Sequence, residues 1–383
     1  MIDYNKQFID QDDITSVKKI LKSKFLTQGN TIKAFENKLS LKFKSKYCSV
    51  LSNGTAALHL AIKSLNLKKN SKILTTPITF ISTASSIIIN NFIPRFADIE
   101  KDYYTLDPNK VEHIVKKDKS IKAVIGVDYA GQPCDWEALN YLKKKYNFFL
   151  LNDNCHAMGS KLKNDPGYAV KYSDLVTQSY HAIKNFTTGE GGSILTNNKK
   201  LHQVIELLRS HNVLRRKKEL QAKGRWFYKV DEIGFNYRLT DIQAGLGISQ
   251  LKKLDKFVKR RRKIADTYTK LFYNEEKIIV PKVKKENYHS YHLYPVRINF
   301  KKLKIDKKKF FLNLQKKNIN LQVHYIPLYN QPFIKKHFFY NKKNLINSQN
   351  FYESEISLPI FYNLTLKDQN YVVNAILNEL KKR

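Results

Sequence analysis

QSYHAIKNFTTGEGGSILTN, residues 178–197, is the stretch on which the fold reading turns. The overlapping runs DLVTQSY (174–180) and GSILTN (192–197) have the apolar, β-branched character of buried strands, and Gly189, Gly191 and Gly192 punctuate the turn between them. Lys184 therefore follows one strand and precedes a glycine-rich turn. A lysine held there, partly desolvated and close to other cations, has a lowered pKa and can form a Schiff base with an aldehyde. Ser179 and His181 lie just ahead of it.

Upstream, the runs SKILTT (71–76), IPRFADI (93–99), IKAVIGVD (121–128) and NFFLLND (147–153) alternate with helical patterns such as TAALHLAIKSL (55–65), where Leu58, Ile62 and Leu65 recur at helical spacing. That alternation predicts a doubly wound α/β domain with a mainly parallel central sheet. Gly54 and Thr55, in LSNGTAALHL, stand where an apolar stretch becomes a helix, so free amides and the helix dipole there suit a phosphate. The plain alternative is an ordinary N-cap by Asn53 or Thr55. Asp153 ends NFFLLND, at the strand end where open α/β sheets place their ligands, and a protonated pyridine nitrogen would keep its carboxylate charged. His156 can reach a neighbouring ligand oxygen, and Phe80, in TTPITFIS, either covers a ring face or packs in the core. A helix-start phosphate site, a strand-end acid and a downstream lysine together form the set that pyridoxal phosphate (PLP) requires.

Downstream the pattern changes. LKKLDKFVKRRRKIADTYTKLF (251–272) places Leu251, Leu254, Val258, Ala265, Tyr268 and Phe272 on one helical face, and no glycine follows Gly247. We expect this helix to join a large PLP-binding α/β domain with an N-terminal arm, residues 1–254, to a smaller C-terminal α+β domain, residues 255–383.

The 383 residues include 69 Lys and Arg against 33 Asp and Glu, a formal charge of +36 that attracts nucleic acid, anionic membrane or phosphorylated small molecules. The lysines are spread along the whole chain, without zinc-finger spacing, an aromatic RNA-binding signature or a basic arm, so nucleic-acid binding is not expected. A non-catalytic, basic DNA- or membrane-binding protein on an inherited fold is the rival from another class; it requires Lys and Arg clustered on one face. Cys48, Cys134 and Cys155 have no metal-ligand spacing, so no metal is expected, and they suit a reducing cytoplasm. The uncharged stretch 73–94 is broken by Pro77, Asn90, Asn91 and Pro94 and is not read as a membrane span. MIDYNKQFIDQDD at the start has no apolar core of a signal peptide, so secretion is not expected.

SNGTAALHLA, TTPITFISTA, DYAGQPCDW, NDNCHAMGS, SYHAIKNFTTGEGG, GFNYRLTDIQAGLGISQL and VHYIPLY occur in this order and resemble the DegT-type sugar aminotransferases, PLP enzymes of fold type I. The resemblance implies that Lys184 binds the cofactor aldehyde, Asp153 partners the ring nitrogen, Phe80 covers the ring and His156 lies near the phenolic oxygen. Gly54, Thr55, Ala56 and Ser179 would hold the phosphate, and Asn236 would reach the phosphate in a neighbouring subunit, which implies a homodimer with shared active sites. Tyr4, Lys24, Phe25, Leu26, Thr27, Gln322, Val323, His324 and Tyr325 would contact a nucleotide sugar. KSKFLTQG (22–29), AGQPCD and HAIK are most similar to members that use glutamate to aminate C4 of UDP-2-acetamido-2,6-dideoxy-β-L-arabino-hexos-4-ulose, a step toward pseudaminic acid. Amination of another keto nucleotide sugar, of bacillosamine or perosamine type, is the rival inside the family. Dehydratases of the same fold carry His where Lys184 stands. Asn152, Asn154 and Cys155 depart from the acidic and small residues common beside the aspartate.

Overall fold

The computed structural model describes residues 1–215 and 217–381. Seven strands form the central sheet: β1 (Tyr47–Leu51), β2 (Lys72–Thr75), β3 (Ile93–Phe96), β4 (Ile121–Val127), β5 (Phe149–Asp153), β6 (Leu175–Ser179) and β7 (Gly192–Thr196). Their order is β1-β7-β6-β5-β4-β2-β3. The sheet is mainly parallel, as expected; β7 alone runs against its neighbours β1 and β6. The other six expected strands lie within the stretches named above, whereas β1, a five-residue run flanked by Lys46 and Ser52, was not anticipated. Helices cover both faces, which is why the central strands read as continuous apolar runs.

Helix α1 (Gly54–Lys63) follows β1, and α2 (Ile81–Ile89) follows β2. The long helix α3 spans Asp241–Leu271 and starts ten residues before the expected face, because Thr240 and Gln243 form a capping box at its N-terminus. Leu251, Leu254, Phe257 and Val258 of α3 belong to the core around the main sheet, with Trp136 and Met158. Ile264, Ala265, Tyr268 and Phe272 belong to a second core, built on an antiparallel sheet of β8 (Ile278–Ile279), β9 (Tyr294–Ile298) and β10 (Glu355–Leu358). Between them the buried Arg261 donates to the carbonyls of Tyr291, His292 and Ile360 and to Asn5 Oδ1, tying the N-terminal segment to the second sheet. Burial lowers its pKa to about 10.

One carboxylate organises the end of β4. Asp128 is fully buried and accepts five hydrogen bonds, from Cys134 N, Trp136 Nε1, Asn152 Nδ2, Asn154 Nδ2 and Tyr168 Oη, at 2.7–3.1 Å. Burial pushes its pKa up and the donors oppose that shift. No helix among the described residues is long and apolar enough to cross a membrane. Asp128→Ala strands four buried donors, Asn154 Nδ2 alone keeping a second acceptor in Tyr168 Oη, and should destabilise the protein by about 3–5 kcal/mol. Asp102→Asn, which breaks only an exposed ion pair with Lys282, should cost less than about 1 kcal/mol. Urea unfolding of the two variants against the parent checks the contrast.

Candidate active site

Val127, Asp153 and Ser179, at the C-terminal ends of β4, β5 and β6, line one cavity of about 1000 Å³. The N-terminus of α1, Phe80 before α2, the turn carrying Lys184 and the 322–325 run close its sides.

Asn53 caps α1: its Oδ1 accepts from Ala56 N at 2.8 Å. The N-cap reading therefore holds for Asn53 and not for Thr55, and no hydrogen bond occupies the Gly54 or Thr55 amide among the described residues. A Cβ on Gly54 would stand 2.7 Å from Ser179 Cβ, so only glycine lets α1 begin this close to β6. The result is a cradle of unpaired amides beside a serine hydroxyl, suited to a phosphate.

Asp153 is buried at the cavity floor, where Oδ2 accepts from Thr83 Oγ1 (3.0 Å) and Oδ1 from Cys155 N (3.3 Å). Thr83 is itself paired with Thr79. The turn after β6 is held by Asn185 Nδ2 donating to Met158 O (2.8 Å) and Thr187 Oγ1 donating to Tyr180 O (2.9 Å). Lys184, in that turn, lines the cavity, and its Nζ has no hydrogen bond or ion pair among the described residues. Desolvation lowers its pKa, with the nearby Cys155 and Asp153 pulling the other way.

His156 is buried against the ring of His292, with centroids 4.4 Å apart. Its Nδ1 accepts from Ala130 N (3.3 Å), so its proton lies on Nε2 and is donated to Tyr325 Oη (3.1 Å). Burial, then Lys184 and His324, hold its pKa well below the usual histidine range. The ring is neutral, and Nε2, its one nitrogen not taken by Ala130, is paired with Tyr325 in this structure.

Of the residues singled out in the sequence, Tyr4, Gly54, Thr55, Ala56, Phe80, Asp153, His156, Ser179, Lys184, Gln322, Val323, His324 and Tyr325 all line this cavity. Phe80 is 56% exposed, which removes core packing as its role. The structure does not bring Lys24, Phe25, Leu26, Thr27 or Asn236 into the cavity. Thr27 bridges to Thr240, Leu26 O accepts from Asp241 N, and Asn236 bridges to Ser210. Asn236 is expected to serve a neighbouring subunit's cofactor, so its place outside this cavity is no departure; for Lys24–Thr27 the motif does not say which chain's cavity they serve, and they do not line this one. Sequence reasoning missed Thr83, Tyr237 and His292. The pair of histidines in HSYH (289–292) was a usable signal for His292; Thr83, one hydroxyl among many in its stretch, offered none.

The model described as the DegT/DnrJ/EryC1/StrS aminotransferase family matches residues 7–377. A Campylobacter jejuni protein (strain 81-176) named UDP-4-amino-4,6-dideoxy-N-acetyl-beta-L-altrosamine transaminase is 37% identical over 383 residues, covering 100% of this chain and 98% of its own. Among solved structures, Helicobacter pylori PseC, an aminotransferase involved in the biosynthesis of pseudoaminic acid, superposes with a TM-score of 0.91 at 32% identity, covering 100% of both chains. Spr1654 from Streptococcus pneumoniae, solved in its PMP form, does so with a TM-score of 0.91 at 26% identity, again over 100% of both. The expected fold type I architecture is thereby met.

A lysine with a lowered pKa keeps more free amine than its surface counterparts at the same pH. Borohydride reduction in the presence of PLP should therefore mark Lys184 ahead of every other lysine, and should still do so at pH values where surface lysines stop reacting. Peptide mapping checks this, with Lys184→Ala expected to leave no dominant labelled peptide.

Proposed function

The chain belongs to the DegT/DnrJ/EryC1/StrS aminotransferase family, and we propose that within it the protein uses PLP to move the amino group of glutamate to C4 of UDP-2-acetamido-2,6-dideoxy-β-L-arabino-hexos-4-ulose. The product is UDP-4-amino-4,6-dideoxy-N-acetyl-β-L-altrosamine, a precursor of pseudaminic acid. The observation that carries this reading is end-to-end similarity to a relative of that name, at 37% identity with no part of the chain left over.

The residues present fit the cofactor. The Gly54 and Ser179 cradle would take the phosphate, with Thr55 and Ala56 beside it; Asp153 would face the ring nitrogen; Phe80 would cover the ring, with His156 near its phenolic oxygen; and the unpaired Lys184 Nζ would take the aldehyde. When bound, PLP supplies a carbonyl that accepts amino groups and a cationic ring that withdraws electrons from the bond being broken. Lys184, once its amine is released, is the base that removes the proton from Cα of glutamate. In the second half it delivers a proton to C4 of the sugar from the side on which its turn holds it, and that side sets the product's configuration. Thr83 and the Cys155 amide keep Asp153 oriented through both halves.

We assign Lys24–Thr27 and Asn236 to the cavity of a neighbouring subunit in a homodimer. Phe25 and Leu26 are 51% and 44% exposed in the single chain, as residues awaiting a partner surface would be.

The direct test is the visible spectrum of the PLP-loaded protein. Glutamate should bleach the cofactor band and the UDP-4-keto sugar should restore it, with NMR assigning the aminated carbon. A product aminated from a different keto sugar would reassign the substrate inside the family, and absence of the band would remove the reading. Shared sites have their own test. Co-assembling Lys184→Ala with Asn236→Asp gives mixed dimers with one intact site, so activity should recover to about a quarter of wild type, where either variant alone is nearly inactive.

A further inference from the structure

The wall of the cavity formed by residues 322–325 is backed by β10, where Gln322 and Ser357 exchange backbone hydrogen bonds. His324, 5% exposed, is held there by three contacts. Its backbone N–H donates to Glu355 Oε2 (3.0 Å), its Nδ1 pairs with Ser357 Oγ (2.9 Å), and Tyr129 Oη donates to its carbonyl (2.5 Å). Ser357 Oγ in turn meets Glu355 Oε1 at 2.5 Å. Glu355 and Ser357 are completely buried, and neither lines the cavity. With Nδ1 committed to Ser357, Nε2 is the ring's remaining polar atom; it has no hydrogen bond among the described residues, although His324 lines the cavity.

We propose that Glu355 and Ser357 are positioning residues which decide the hydrogen-bonding character that His324 presents to a nucleotide-sugar substrate; the proposal rests on the function proposed above. With Glu355 protonated, Oε1–H donates to Ser357, Ser357 donates to His324 Nδ1, and the ring proton is left on Nε2, ready to donate to an oxygen of the ligand. With Glu355 ionised the same bonds run in reverse. Ser357 donates to Glu355, His324 Nδ1–H donates to Ser357, and Nε2 offers a lone pair that repels an acceptor oxygen.

The surroundings allow both states. Lys307, Arg297, Glu353, Tyr129, Tyr325 and His324 are the titratable or charged groups around Glu355. Lys307 Nζ donates to Tyr352 O and Arg297 Nε to Ser354 Oγ, so neither cation bonds the carboxyl. Burial raises Glu355 to about 8, against Ser357, the His324 amide and Lys307. Burial and then Lys184 lower His324 to about 3, so its ring stays neutral while its tautomer changes.

The experiment measures binding of UDP-N-acetylglucosamine, which has no keto group to react, to the PLP-loaded enzyme from about pH 6.5 to about pH 9.5, beside the tautomer of His324 by NMR of 15N-histidine-labelled protein without ligand. In the wild type, Kd should rise roughly five- to tenfold through pH 8, while His324 passes from the Nε2–H to the Nδ1–H form. In Glu355→Gln the amide donates to Ser357 and accepts from the His324 N–H at every pH, so the rise flattens and the Nε2–H form persists. Ser357→Ala cuts the relay and should flatten the rise as well. A wild-type alkaline rise that survives in Glu355→Gln, or a His324 tautomer that does not change in the wild type, overturns the relay. A tautomer change with no binding of UDP-N-acetylglucosamine overturns the ligand assignment instead, through failure of the functional reading and not of the relay.

Discussion

Much of this molecule hangs on a buried carboxylate with five donors. Asp128 gathers Cys134, Trp136, Asn152, Asn154 and Tyr168 around the end of β4. It thereby pins β4 to β5 and positions the turn at 129–131, where Ala130 (φ 57°) and Gly131 (φ 103°) adopt left-handed conformations. That turn then does two things for the cavity: the Ala130 amide sets the tautomer of His156, and the Tyr129 hydroxyl holds the His324 carbonyl. A buried charge with every lone pair engaged is costly to disturb, which makes this end of the sheet rigid.

Asn152 and Asn154, which look out of place beside the aspartate in the sequence, are explained by the same carboxylate. Both amides donate to Asp128 Oδ2, where an acidic side chain at either position would bring a second negative charge against it. Cys155 has a different consequence. Its thiol is pushed up in pKa by burial and by Asp153, so it stays protonated beside Lys184.

The cavity is lined by His156, His292 and His324, all held neutral, first of all by burial, with Lys184 adding to the effect. Little positive charge therefore competes with Lys184 inside, while the net charge of +36 is carried by lysines outside and can draw in an anionic nucleotide sugar. Neutral rings hydrogen-bond through one donor and one acceptor, so their effect on a ligand depends on which partner each ring already has.

The sequence by itself determined the layered α/β architecture, because buried parallel strands must be continuous apolar runs and the helices between them must be amphipathic. It also determined the chemical set of Lys184, Asp153 and the Gly54 turn, since each needs a particular residue type at a strand end or helix start. β1 stayed unassigned because YCSVL reads only as an apolar stretch running into a helix, and nothing local in it shows that it pairs with β7. Only the tertiary structure decided which partners those groups have. Thr83 on Asp153, Ala130 on His156, and Glu355 with Ser357 on His324 are contacts between residues far apart in the chain. Hydrogen bonds of this kind have no periodicity and no local signature, so they come into being only when the sheets bring distant segments together. The same holds for the separation of Lys24–Thr27 from the cavity. Motifs record which residues occur together, and packing decides which of them share one chain's pocket.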